Sequence, residues 1–261
     1  ARVMLFLYAL IGILLWTFQK KLFFQATPLP PDYQYNFKEP HRDILIRLNE
    51  KEQLSIVEFY PQDTLNSRGV VLYFHGNKDN ISHYARFVPA FTKHGYEVWM
   101  IDYPGYGKST GAQTEQRFYS DAQLLYKMAE KEFAADNIIF YGKSLGTGVA
   151  TELASHAGGK RLILETPYYS LPSLASSYLP IYPAASMVDI QFPVYEYLPF
   201  VQLPVTIFHG TDDAVIPYSN AEQLRSLLKS KDEFITIKNG GHNDLSKFAL
   251  YQQKLDSLLS R

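Results

Sequence analysis

The chain has 261 residues, 46% of them apolar and 20% charged, enough to bury one sizeable core and too few for a second catalytic domain. Its formal charge of −1, from 25 basic and 26 acidic residues scattered along the chain, gives no electrostatic footprint for nucleic acid or another polyanion. With no cysteine there is no disulfide framework, no thiolate metal site and no cysteine nucleophile.

Residues 1–24 are set apart by Val3 to Phe18, almost unbroken apolar sequence between Arg2 and the pair Lys20 and Lys21. As a helix this run is about 24 Å long, short of a ~30 Å hydrocarbon core unless Leu22 to Phe24 extend it while the lysines snorkel. An uncleaved membrane anchor is the preferred expectation. A cleaved signal is the rival, although Phe24-Gln25-Ala26 lacks the first small residue of a cleavage site, and an interfacial or buried helix is the third choice. Basic residues at both ends leave the positive-inside rule without a preferred side.

Residues 25–41 contain Pro28, Pro30 and Pro31 and follow neither helical nor strand period, which predicts a linker wrapped onto the domain. The domain itself is expected over 42–261. Asp43-Ile-Leu-Ile-Arg-Leu and Leu54-Ser-Ile-Val-Glu-Phe-Tyr read as a hairpin. From Gly69 onward, short apolar runs at 70–74, 96–101, 137–141, 161–164, 205–208 and 233–237 alternate with helical segments near 81–93, 115–134, 145–157, 218–229 and 244–259. Strands apolar on both faces, separated by helices, predict an α/β fold with a mostly parallel central sheet covered on both sides. The stretch 168–203, rich in Pro, Tyr and Ser, is long for a simple crossover between the sixth and seventh strands. It is expected to be a small lid or pocket wall above the carboxyl ends of the strands.

Gly142-Lys143-Ser144-Leu145-Gly146 joins a predicted strand to a predicted helix. Glycines bracket the serine because so tight a turn has no room for side chains. A serine hydroxyl needs a base to take its proton, and His242, in Asn239-Gly-Gly-His-Asn-Asp after the last strand, is the candidate; the other six histidines fall on helices, in the linker or at strand ends. Between them Asp212 and Asp213 follow a strand, and the order serine, acid, histidine is the one this fold uses; Asp213 is preferred. Backbone N–H groups of Leu145 and Asn77 are the expected oxyanion donors. No metal-ligand spacing is present, and neither metal nor cofactor is called for.

Five motifs then stand in order: His75-Gly-Asn, Asp102-Tyr-Pro-Gly-Tyr-Gly-Lys-Ser, Gly142-Lys-Ser-Leu-Gly, His209-Gly-Thr-Asp-Asp-Ala-Val-Ile-Pro and Gly241-His-Asn-Asp. Together they cover about residues 40–261 and resemble the membrane-anchored abhydrolase-domain serine hydrolases, the branch that includes bud-emergence-type proteins and protein depalmitoylases. The resemblance implies the α/β-hydrolase fold, Ser144, Asp213 and His242 as a catalytic triad, and an N-terminal anchor. At Asn77-Lys-Asp-Asn the chain departs from the family, which commonly has a small residue and a glycine after the asparagine. The Asp102 to Ser109 segment is expected to be structural. The expected activity is cleavage of carboxylic esters or thioesters with apolar, lipid-like acyl groups. Amide or peptide hydrolysis, or a non-catalytic binding role on the same fold, are the alternatives. The small insertion leads us to expect a fairly open pocket that turns over short-chain esters.

Overall fold

The computed structural model describes residues 2–63 and 67–260. An N-terminal helix, α1, spans Arg2–Phe23, longer at its C-terminal end than the apolar run alone. At about 1.5 Å per residue it measures about 33 Å, long and apolar enough to cross a ~30 Å hydrocarbon core.

The linker that follows is bound to the domain. Gln25–Ala26 pairs in parallel with Lys78–Asp79, and Pro28 bridges Gly107.

Eight strands form the central sheet: β1 His41–Arg47, β2 Gln53–Phe59, β3 Gly69–Phe74, β4 Tyr96–Asp102, β5 Ile138–Lys143, β6 Arg161–Glu165, β7 Val205–Gly210 and β8 Glu233–Ile237. Their spatial order is β8-β7-β6-β5-β3-β4-β2-β1. The hairpin β1–β2 is antiparallel, β2 lies antiparallel on β4, and every other pairing is parallel. Successive residues of the inner strands face opposite layers, so Val70 and Leu72 pack with Phe140 while Val71 and Tyr73 pack with Tyr141, each layer burying its own apolar cluster. Helices α2 (Glu115–Ala129) and α3 (Gly146–Ala154) cover the first layer through Phe118, Leu125, Val149 and Leu153. The segment 81–92 and the last helix, which begins at Ala249, cover the second through Val88, Phe91, Leu255 and Leu259.

Two expected helices are broken. Residues 81–93 form two short α turns joined by a 3₁₀ turn, with Pro89 opening the second, and 218–229 is one α turn run into 3₁₀. Proline lacks the donor that would have carried the first of these through. The insertion 168–203 leaves the sheet after β6 and returns at β7. It folds as α4 (Leu171–Tyr178) and short turns at Ala184–Met187, Val194–Tyr197 and Leu198–Phe200. The last helix, α5, runs Ala249–Ser260 after a 3₁₀ turn at Leu245–Lys247.

Candidate active site

Ser144 stands at the carboxyl end of β5, immediately before α3, with a backbone φ of +51°. A non-glycine residue held there costs about 1–2 kcal/mol, and the surroundings hold it. The Ser144 N–H donates to the Glu165 carbonyl (2.9 Å) and the Ser144 carbonyl accepts from the Thr147 N–H (3.0 Å). Gly146 has no freedom to be anything larger, since a Cβ there would lie 2.1 Å from the Phe74 carbonyl oxygen.

The structure brings the three expected side chains into one line. His242 Nε2 lies 2.9 Å from Ser144 Oγ, and His242 Nδ1 lies 2.8 Å from Asp213 Oδ2. Asp213 has no exposed side-chain surface, and its other oxygen accepts from the N–H groups of Val215 (2.8 Å) and Ile216 (2.7 Å). Burial alone would raise the Asp213 carboxyl. The hydrogen bond and charge of His242, the Ile216 N–H and His209 outweigh it and hold the group below the usual carboxylate range. The Asp212 side chain is exposed and, among the described residues, bonded only to the Thr211 hydroxyl (2.8 Å), so it does not enter this line. The loop carrying His242 is tied to the Asp loop by Asp212 N–H to Gly240 O (2.9 Å) and Asn239 N–H to Thr211 Oγ1 (2.8 Å).

The loop after β3 lies beside Ser144, since a Cβ on Gly76 would be 3.5 Å from Ser144 Cβ. Among the described residues, the backbone N–H groups of Asn77 and Leu145 have no protein acceptor, and both residues border a cavity with Ser144. The Asp102–Ser109 segment braces this loop. Tyr103 donates to the His75 carbonyl (2.8 Å), Tyr106 donates to the Asn77 carbonyl (2.7 Å), and Asp102 accepts from the Ile81 N–H (2.9 Å). At the sequence departure, Asp79 occupies φ +61°, a left-handed conformation at the position where the family pattern has glycine.

The family model described as serine aminopeptidase, S33, matches residues 66–198, just over half of the chain. Over 199 residues, 74% of the chain, the sequence is 31% identical to the alpha/beta hydrolase domain-containing protein aho-3 of Caenorhabditis elegans. It is also 31% identical over 236 residues, 80% of the chain, to the lysophosphatidylserine lipase ABHD12 of Danio rerio. The chain belongs to the α/β-hydrolase family. It spans 58% and 61% of the length of those two relatives. Its fold is that of a solved esterase from Pyrococcus furiosus, with TM-score 0.65, 18% identity and coverage of 91% of this chain and 98% of that one. An α/β-hydrolase from Vibrio vulnificus gives 0.67, 20%, 84% and 81%.

In this α/β-hydrolase two unlike cavities flank Ser144. One is apolar, bordered by Phe23 of α1, Leu171 and Leu174 of α4, and Ile216. The other is polar and includes Lys78, Arg86, Lys143 and His242; none of its bordering residues is an aspartate or glutamate. His83 links Asp79, 3.3 Å from Nδ1, to Arg86, whose guanidinium donates to Nε2 (3.0 Å). Burial, reinforced by Arg86, lowers the His83 pKa, in keeping with a neutral ring that accepts from Arg86.

What lies under Ser144 was not legible in the sequence. Lys143 and Glu165 form a buried ion pair, and Glu165 also accepts from Tyr141 and Tyr251 (2.9 Å for the latter). Burial would raise the Glu165 carboxyl, but Lys143 and the two hydroxyls hold it low. Lys143 sits inside the Gly142–Gly146 motif, yet its partner Glu165 is on β6, which no local pattern connects to it.

Proposed function

We propose that this α/β-hydrolase is a serine acyl hydrolase that cleaves carboxylic esters or thioesters of apolar acyl groups through an acyl-Ser144 intermediate. The observation that carries this is the continuous line Ser144 Oγ, His242 Nε2, His242 Nδ1, Asp213 Oδ2 at the carboxyl end of the sheet. His242 takes the Ser144 proton as Oγ attacks the acyl carbonyl, and Asp213, already ionised, holds the tautomer with its proton on Nδ1 and stabilises the imidazolium. The unpartnered N–H groups of Leu145 and Asn77 receive the oxyanion. His242 then returns the proton to the departing alcohol or thiol. A water activated by the same imidazole opens the acyl-enzyme, releasing the acid and restoring Ser144.

The apolar cavity suits the acyl group and the polar one the leaving group. A relative described as a lysophosphatidylserine lipase supports an ester substrate. The family description offers aminopeptidase chemistry as a second reading. Holding a peptide's α-ammonium calls for a carboxylate, whereas the polar cavity presents Lys78 and Arg86 and no bordering acid, which favours the ester reading. With α1 as its anchor, the enzyme works at a membrane surface. Replacing His242 by alanine tests the reading: turnover of p-nitrophenyl butyrate falls at least a thousandfold, and a variant that kept full activity would refute it.

A further inference from the structure

The insertion and α1 form one apolar body. Between Glu165 and Asp189 the sequence has no charged residue and no histidine, and Tyr178 and Ile181 within that stretch are 53% and 71% exposed. The same stretch is fastened along α1. The rings of Tyr8 and Tyr182 stack with centroids 4.5 Å apart, Tyr8 donates to the Ile181 carbonyl (2.9 Å), and Tyr182 donates to the Tyr8 carbonyl (3.0 Å). Three turns further on, buried Gln19 donates to the Met187 carbonyl (3.1 Å) and accepts from the Asp189 N–H (2.8 Å). The polar groups of this contact therefore find partners inside the protein, as hydrocarbon surroundings demand. Tyr8 lies well within the apolar length of α1, so a bilayer that takes in α1 takes in Ile181 as well.

A cleft runs between the two elements. Leu171 and Leu174 border the Ser144 cavity, and one turn on, Ala175 and Leu179 border an apolar cleft against Trp16 and Gln19 of α1. Phe23 borders both spaces, which places the cleft next to the Ser144 cavity. Its walls are the same-face stripes of α4 and α1, at i, i+3 and i+4 spacing.

We infer that α1 and residues 171–188 are immersed together in the membrane, and that the cleft between them guides one acyl chain of a bilayer glycerolipid from the hydrocarbon to Ser144. The inference rests on the acyl-hydrolase reading of Ser144. A single chain is the occupant because the cleft is apolar, lies beside the membrane helix and adjoins the apolar cavity that Ser144 borders. A glycerolipid fits better than an acylated peptide because Lys78 and Arg86, in the polar cavity that Ser144 also borders, have no carboxylate partner among the described residues and suit a phosphate-bearing headgroup.

Two measurements on the full chain test this. Because the protein has no native cysteine, a nitroxide on Ile181→Cys is a unique label. In phosphatidylcholine–phosphatidylglycerol vesicles it collides with dissolved oxygen in preference to a water-soluble nickel chelate; the reverse preference overturns immersion. Ala175→Trp fills the cleft and lowers the ratio of monopalmitoyl-phosphatidylglycerol to p-nitrophenyl butyrate turnover at least tenfold. An unchanged ratio overturns the acyl path. If the tryptophan variant fails to fold, Ala175→Leu shifts the ratio in the same direction by a smaller factor, and no shift there is equally decisive. Faster turnover of an S-palmitoyl peptide than of the lipid overturns the glycerolipid assignment. Wild type that neither turns over butyrate nor takes a fluorophosphonate probe defeats the acyl-hydrolase reading instead, while the nitroxide still decides immersion.

Discussion

Asparagine at position 213 changes one atom in the line proposed to activate Ser144. Its amide oxygen can keep both hydrogen bonds from Val215 and Ile216, at 2.8 and 2.7 Å, so the loop stays folded. Its NH₂ group, however, replaces the oxygen 2.8 Å from His242 Nδ1. Two donors cannot share that contact, so the imidazole turns to the tautomer with its proton on Nε2, which then faces Ser144 Oγ and cannot accept its proton. The expected loss in kcat is about 10⁴-fold, or about 5.4 kcal/mol of transition-state stabilisation, against a stability loss of about 1 kcal/mol. The stability difference has its own pH dependence. Asp213 is held below the usual carboxylate range in the folded protein, so its contribution is present above the unfolded carboxylate pKa of about 4 and disappears as pH falls through the lower folded value. Ester turnover and urea unfolding of detergent-solubilised Asp213→Asn, beside Asp212→Asn, measure both effects. Asp212→Asn stays within about twofold of wild type, since that side chain is exposed and bonded only to Thr211. More than a tenth of wild-type activity in Asp213→Asn, or an equal loss in Asp212→Asn, would refute the reasoning.

Gly146→Ala places a methyl 2.1 Å from the Phe74 carbonyl, so the strand and the nucleophile turn must separate. The expected result is loss of activity with destabilisation of about 2–4 kcal/mol, checked by thermal unfolding, and near-normal stability would contradict the packing described. Burial, aided by the charge of Glu115, pushes the Glu152 carboxyl from 4.5 up to about 7. A raised carboxyl pKa confers stability that is full below the unfolded value and lost as pH rises through the folded one. Glu152→Gln therefore matches wild type near pH 4 and exceeds it above pH 7, by about 2 kcal/mol once residual exposure is allowed for. Urea midpoints at the two pH values measure the gap, which a pH-independent difference would contradict.

The parts of the fold and site that were legible in the sequence are those whose causes are local. The tight turn at Ser144 is written in its flanking glycines, the parallel sheet in strands apolar on both faces, and the approach of His242 to Ser144 in the place of that histidine after the last strand. The insertion between the sixth and seventh strands stood out because its composition and length broke the alternation. Helix continuity was less legible, because Pro89 and the 3₁₀ geometry after Tyr218 act over single turns that an amphipathic pattern does not register. The buried pair Lys143–Glu165 and the contacts of Tyr103 and Tyr106 with the loop carrying Asn77 were illegible, since each joins residues far apart in sequence. The same holds for the cleft between α1 and α4. The apolarity of α1 pointed to a membrane, but its fastening to Tyr182 and Met187 depends on contacts more than 160 residues apart in the chain.

The central claim is that Ser144, activated by His242, is the acyl-accepting nucleophile. Intact-mass analysis of the folded protein after reaction with a fluorophosphonate, with peptide mapping of the adduct, tests it most directly. A single adduct is expected, on Ser144, absent from Ser144→Ala and lost in step with ester turnover. Stoichiometric labelling at another residue, or undiminished ester turnover in Ser144→Ala, would contradict it.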